Sequence, residues 1–222
     1  MAEKHFLQFA SVAALLTVLT TIGIHFIDIP AASLEERMML HRNPLYIFQK
    51  WMIIFHCIMV IVSMYGVAVL KFNENKGLIS LGALFFAVFG ITEISRMLAV
   101  LGYVNGLREK YLSATDEAAR QLYQYSYENF SLVSLTMFLV FVLAFSLGNL
   151  LYGLALSAGN GYDRWLGYGL LFWGLLTLLA FCNTFWEIGA IDQIVEANNK
   201  FFQPIIRLAI GVWLRQKSKV IE

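Results

Sequence analysis

The chain has 222 residues, of which 59% are hydrophobic and 14% are charged, and its formal net charge is +1. A soluble domain carries about 25% charged residues, so this composition excludes an ordinary soluble globular domain. The small net charge, with no basic stripe, excludes binding to nucleic acid. At about 20 residues per span, the apolar blocks predict an all-α, polytopic transmembrane helix bundle of about six spans, with five to seven possible, in a single domain over residues 1–222.

The first apolar block, residues 6–27, is predicted to be a retained first span, because no small-residue cleavage site follows it. The connection after it, residues 28–44, is more structured than a plain linker. It contains Ser33 and Glu36 at the spacing of a capping box, which predicts a short helix on the membrane surface.

The second span is predicted over residues 45–70 and the third over residues 78–102. Asn43 and Pro44 form an N-cap and first-turn pair that opens the second span. A short polar turn between the two spans makes them antiparallel neighbours.

The longest polar connection is residues 103–128. Ser113 and Asp116 resemble a helix start, and the sequence after them has helical composition. We therefore expect a helix from about Thr115 that continues into a fourth span over residues 130–156.

A fifth span is predicted over residues 165–186, after a compact glycine-rich turn. The last block, residues 201–214, is short and contains Pro204 and Arg207. It is either a sixth span or an amphipathic helix at the membrane surface. We predict that it is a sixth span.

The stretch LGNLLYGLALSAGNGYDRWLGYGLLFWGLL, residues 147–176, has an apolar Leu/Tyr/Gly run, a tight polar turn and an R-W-L-G opening. In these features it resembles a broad bacterial multipass membrane family that is known only as a domain of unknown function. The resemblance implies bacterial multipass topology and carries no active residues over to this chain.

The distribution of Lys and Arg predicts the orientation. Short turns near residues 71–76 and 157–164, together with the C-terminal tail, are basic and poor in acids. By the positive-inside rule both termini are predicted to be cytoplasmic in the cell (inner) membrane. The connections 28–44 and 103–128 then lie on the non-cytoplasmic side.

Polar side chains within the spans fall in the non-cytoplasmic half of the predicted bundle. Glu93 and Arg96 share one helix face, and a charge in the bilayer core costs about 2.5–3.5 kcal/mol. That face is therefore expected to look into the bundle, toward the second, fifth or sixth span. The candidate residues for a ligand-binding site or a buried polar network are His25, His56, Glu93, Arg96, Asn183, Glu187 and Arg207. Both interpretations remain open.

Metal, haem and common catalytic motifs are not expected. His25 and His56 are the two histidines within spans and lack the spacing of a zinc site. Their predicted depths differ by about eight residues, or about 12 Å of helix rise, which does not suit a bis-histidine haem. No phosphate loop, nucleophile elbow or dinucleotide fingerprint occurs. No cofactor is predicted, and the sequence gives no reason to expect an enzyme.

Three functions follow as hypotheses. The first is an accessory subunit or small-ligand-binding component of a membrane complex, with the lipid bilayer and other membrane proteins as partners. The second is a secondary transporter or proton-coupled carrier that uses Glu93, Arg96 and His56. The third is an intramembrane redox subunit with a cofactor near the histidines.

Overall fold

A computed structural model describes residues 2–27 and 29–220, and all regular secondary structure in these ranges is helical. Some of the α-helices are joined by short segments of other helix types. These are a 3₁₀ turn at Leu40–Arg42 and π-helical turns at Val100–Val104 and Asn198–Phe202. The α-helices in chain order are α1 (Ala2–Phe26), α2 (Leu34–Met39), α3 (Pro44–Lys71), α4 (Lys76–Ala99), α5 (Asn105–Ser113), α6 (Glu117–Ser157), α7 (Tyr162–Trp186), α8 (Gly189–Ala197) and α9 (Gln203–Val220).

Five helices of the described chain are long and apolar enough to cross a membrane. The predicted all-α helical bundle is therefore confirmed. The five segments are Glu3–Phe26, Pro44–Lys71, Lys76–Ser113, Glu117–Ser157 and Tyr162–Trp186.

The last helical block is not one of these five, yet it lies inside the bundle. It begins with α8 and continues through Asn198–Phe202 into α9 without a break. The hydroxyl of Ser11 on α1 donates a hydrogen bond of 2.8 Å to the carbonyl of Gly211 on α9. A Cβ at Gly211 would lie 2.9 Å from the side chain of Leu15. The two helices therefore pack in close contact, and α9 is a sixth helix of the bundle.

The six long helices form a closed ring in the order α1, α3, α4, α6, α7, α9. Helices adjacent in this ring run antiparallel, so Ala2 and Val220 lie at the same end of the bundle. We call this the terminal end; it also holds the turns at residues 72–75 and 158–161. The opposite end, with α2, α5 and α8, is the loop end.

The terminal half of the ring is filled by a continuous apolar core. Phe86, Phe145 and Trp173 pack edge to face within it. Close approach of α6 and α7 depends on Gly167, where a Cβ would lie 2.4 Å from the backbone nitrogen of Ser157. Buried apolar side chains of this core thus occupy the terminal half between the helices.

The capping signals in the first connection are confirmed. The Ser33 hydroxyl accepts from the Glu36 backbone N–H, and the Glu36 carboxylate accepts from the Ser33 N–H. The Asn43 side chain accepts from the Leu45 and Tyr46 N–H groups, so it is the N-cap of α3.

The predicted helix from about Thr115 into the fourth span is confirmed, and the rest of the polar connection over residues 103–128 is also largely helical. After α4, the chain continues through Val100–Val104 into α5, and only residues 114–116 separate α5 from α6. Asp116 caps α6, because its carboxylate accepts from the Ala119 N–H at 2.7 Å. Ser113 ends a helix and does not begin one. The good helix formers on both sides of the break extend α4 and α6 beyond their apolar spans.

Candidate functional site

A cavity of about 320 Å³ opens inside the loop-end half of the ring. All six long helices contribute side chains to it, and its volume falls in the range of small-molecule sites. Its lining is largely apolar and aromatic. The polar side chains of the lining are Thr21, His25, His56, Glu93, Arg96, Thr177, Thr184, Asn198, Asn199, Gln203 and Arg207.

Arg207 lies at the inner limit of this cavity, where the apolar core begins. Its side chain is 3% exposed. The guanidinium lies over the rings of Trp173, at 5.0 Å, and Phe145, at 6.0 Å. Its Nε is enclosed without a hydrogen-bond partner, and no carboxylate of the described residues forms an ion pair with it. Arg207 is thus a buried cation without a protein counter-charge.

Glu93 and Arg96 form a two-pronged ion pair on α4. Arg96 donates from Nε to one carboxylate oxygen of Glu93 at 2.7 Å and from its terminal nitrogen to the other at 2.6 Å. Both residues line the cavity. They share the cavity with side chains of α3, α7 and α9, the elements toward which the sequence predicted that this face looks. Arg96 also lies over the ring of Phe138 on α6, the fourth span, at 5.4 Å.

His56 is buried and has a polar contact, as its position in an apolar helix requires. Its Nδ1 lies 2.7 Å from the Thr20 hydroxyl on α1. Thr20 precedes His25 by five residues, which is about 7.5 Å of helix rise. The two histidines therefore lie closer in depth than the 12 Å expected from the sequence, and both line the cavity.

Asn183 and Glu187 do not belong to the cavity lining. Asn183 is buried, but its amide serves the turn between α7 and α8: it accepts from the Ile188 N–H at 2.9 Å and donates to Asp192 at 2.8 Å. Glu187 is exposed and has a φ of 54°, since the chain turns left-handed there to end α7. The placement of Glu187 in a buried network is therefore a wrong prediction.

The terminal end holds an ionic cluster that the sequence did not indicate. Asp163 is at 2.5 Å from Lys71 and at 3.1 Å from Lys217, and it accepts a hydrogen bond of 2.8 Å from the Trp213 indole N–H. These contacts join α3, α7 and α9. The terminal half is thus less apolar than expected, because Asp163 lies on the first turn of α7 and not in an exposed loop.

The charges of the cavity lining are not balanced. Glu93 neutralises Arg96, so Arg207 leaves the lining with a net charge of +1 while the histidines are neutral. In residues 2–27 and 29–220, no group of three or more His, Cys, Asp or Glu side chains could hold a metal ion. The site can therefore attract an anion through the fixed charge of its own residues.

Taken together, the ring of long apolar helices and its internal cavity define a membrane-type helical bundle with a positively charged internal site. Comparison of the chain with protein-family models, with curated proteins and with solved structures found no match. The family resemblance of residues 147–176 thus stays a prediction.

Proposed function

We propose that this chain is an integral protein of a bacterial cell membrane that binds a small organic anion inside its helical bundle. In this role it acts as a ligand-binding component, either alone or within a larger membrane complex.

The observation that carries the proposal is the state of Arg207. A buried ion costs several kcal/mol to desolvate, and proteins normally offset this cost with a paired charge and hydrogen bonds. Arg207 has neither from the described residues, yet it borders a cavity. A carboxylate or phosphate in the cavity would supply the missing charge, and guanidinium is the side chain best suited to bind these groups.

The remainder of the lining favours an organic anion over an inorganic one. Phe89, Phe141 and Phe145 face the same space as Arg207. Apolar walls with a few polar groups are typical of sites for organic ligands, in which the apolar part contributes affinity and the polar groups fix the orientation.

The test is the binding of octanesulfonate, a permanently charged anion, to the protein in nanodiscs of zwitterionic lipid. Isothermal titration calorimetry, with empty nanodiscs subtracted, should show saturable binding that octanol does not reproduce. We expect Arg207→Met to weaken binding at least tenfold and Arg207→Lys to retain part of it. Equal binding by the wild-type protein and Arg207→Met would overturn the proposal.

We further propose that both termini lie in the cytoplasm, which makes the cavity face the opposite side. Basic residues in the two short turns and in the tail support this orientation. In a variant without its two native cysteines, cysteines placed at the exposed positions Asn73 and Thr115 would test it. A membrane-impermeant maleimide should label position 115 on intact cells and leave position 73 unlabelled. The reverse pattern would invert the orientation.

A carrier is the second candidate function. The apolar core and the Asp163 cluster lie on the terminal side of the cavity, whereas polar lining residues continue toward the loop end. Such a half-open site is what one state of an alternating-access carrier requires. Uptake of labelled octanesulfonate into proteoliposomes, dependent on Arg207 and altered by Glu93→Gln or His56→Ala, would favour a carrier. Binding without uptake would favour a ligand-binding component.

A further inference from the structure

The wall of the ring is loosely packed beside α7 in the loop-end half. α7 packs tightly on α6 at a hydrogen bond of 2.7 Å from the Ser146 hydroxyl to the Gly174 carbonyl. On the other side, Phe172 packs edge to face against Phe202 with ring centres 5.0 Å apart. Both contacts belong to the part of α7 that precedes residue 175.

Beyond this point both α6 and α7 are less tightly packed. None of residues 131–141 of α6 is buried, and in residues 175–182 of α7 none is buried either. Successive helical residues point in directions about 100° apart, so each stretch covers every side of its helix. We call the space between these two loosely packed stretches, which both contribute residues to the cavity lining, the gap.

The gap is bordered by apolar sequence. The two segments read SLVSLTMFLVF and LLTLLAFC and contain no charged residue. Both lie inside helices that are apolar enough to cross a membrane. In a bilayer, lipid chains and not water would face such a gap.

Arg207 lies at the inner corner of this gap. The rings beneath its guanidinium belong to Phe145 and Trp173, which immediately precede the two residues of the Ser146–Gly174 contact. Phe138 and Leu176 line the cavity farther along the same two helices. A charged head on Arg207 would therefore have its chain directed between α6 and α7.

We propose that the ligand is a membrane amphiphile with a carboxylate or phosphate head and a long aliphatic chain, bound with its head on Arg207 and its chain in the gap between α6 and α7. This inference rests on the proposed function and adds the class of ligand. The lipid bilayer supplies such a ligand directly through the gap, without passage through water. The anionic head matches the positive charge of Arg207, and the aliphatic chain matches the apolar residues that border the gap.

Photo-crosslinking tests the inference. Palmitate with a diazirine at mid-chain is added to the protein in nanodiscs of zwitterionic lipid, and the adducts are mapped by mass spectrometry. We expect adducts concentrated in residues 138–142 and 176–180, reduced at least fivefold by unlabelled palmitate or hexadecyl phosphate, and absent with the matching fatty alcohol.

Two adjacent leucines supply matched variants. Leu176 lines the cavity, whereas its neighbour Leu175 is 57% exposed and is not part of the lining. Leu176→Trp should block the gap and lower the adduct yield at least fivefold, and Leu175→Trp should leave it within twofold of the wild type. Octanesulfonate should bind to Leu175→Trp as it does to the wild type.

The outcomes separate this inference from the proposed function. Arg207-dependent binding of octanesulfonate, with palmitate adducts spread evenly over the lipid-facing surface, would overturn the amphiphile and leave the anion site standing. Octanesulfonate binding that does not depend on Arg207 would overturn both.

Discussion

The guanidinium carbon of Arg207 lies 5.0 Å from the centre of the Trp173 ring. A cation over an aromatic face gains about 2 kcal/mol when the pair is desolvated. That gain is smaller than the cost of burying an unpaired ion. The indole ring of Trp173 therefore holds the guanidinium in place without neutralising its charge. We infer that Arg207 lowers the free energy of unfolding of the bundle.

The first prediction concerns the stability that the buried charge of Arg207 costs. Arg207→Met should raise the free energy of unfolding by about 1–3 kcal/mol, because an apolar side chain of similar length replaces an unpaired buried charge. Thermal unfolding of the detergent-solubilised protein, without added anion, measures the change. Leu208→Met, on the exposed face one residue away, should change little. A comparable loss of stability in Arg207→Met would mean that the arginine makes a stabilising contact.

The second prediction concerns the ion pair on α4. Arg96→Ala leaves the carboxylate of Glu93, which is 4% exposed, without a counter-charge. Removing one partner of a buried pair costs about 3–5 kcal/mol; since the Arg96 side chain is 20% exposed, we expect the lower part of this range. The midpoint of thermal unfolding reports the loss.

The double variant Glu93→Gln with Arg96→Gln decides between a structural and a functional pair. It should recover part of the stability lost in Arg96→Ala, because no unpaired charge remains. If the pair is structural, octanesulfonate binding survives in the double variant; if it helps to hold the ligand, the protein folds and binding is lost. An unchanged midpoint in Arg96→Ala would show that the pair does not stabilise the bundle.

The third prediction compares two helical glycines. A Cβ at Gly167 would meet backbone atoms of α6 at 2.4 Å, and these atoms cannot move aside as a side chain can. Gly167→Ala should lower stability by about 1–3 kcal/mol. At Gly106 a Cβ would meet nothing within 4 Å, so Gly106→Ala should raise stability by about 0.5–1 kcal/mol through helix propensity alone. Thermal midpoints that move in the same direction would contradict the packing argument.

The existence of the helices could be predicted from the sequence, and their relations in space could not. Apolar length alone identifies the five spans, and the Ser33–Glu36 box identifies α2 because capping is a local interaction. The order of helices in the ring depends on contacts between distant residues, such as Ser11 with Gly211. No local pattern encodes such a contact.

The sequence identified residues of the candidate site when they were polar residues within an apolar helix. His25, His56, Glu93, Arg96 and Arg207 all line the cavity for this reason. Their role as ligand-binding residues stays a prediction. Asn183 and Glu187 gave the same signal, yet they serve the end of α7, since a polar residue near a helix end can equally satisfy the turn that follows.

The fourth prediction concerns pH and the capping box of α2, which lies outside the membrane spans. The backbone N–H groups of Ser33 and Ala32 donate to the Glu36 carboxylate and lower its pKa below 4.5. A lowered folded-state pKa means that this contribution to stability is present above the unfolded pKa and is lost as pH falls through the folded value. NMR titration should give a lower midpoint for Glu36 in the folded protein than in the unfolded protein. Equal midpoints would show that the box does not form in solution.

The last prediction uses the two acids that contact Lys71. Asp163 has a side chain that is 10% exposed and binds Lys71, Lys217 and the Trp213 indole, whereas Glu74 is 58% exposed and contacts Lys71 alone.

Asp163→Asn should lower stability by about 3 kcal/mol, because it leaves the buried Lys71 ammonium next to Lys217 without their common counter-charge. Glu74→Gln removes a carboxylate partner of the same lysine, but solvent screens that ion pair. The expected loss of stability is therefore about 0–1 kcal/mol. Thermal midpoints in low and high salt separate the two, since only the exposed pair should weaken strongly with salt. Losses of equal size would mean that Asp163 does not tie α3, α7 and α9 together, and the closure of the terminal end would then depend on the apolar core alone.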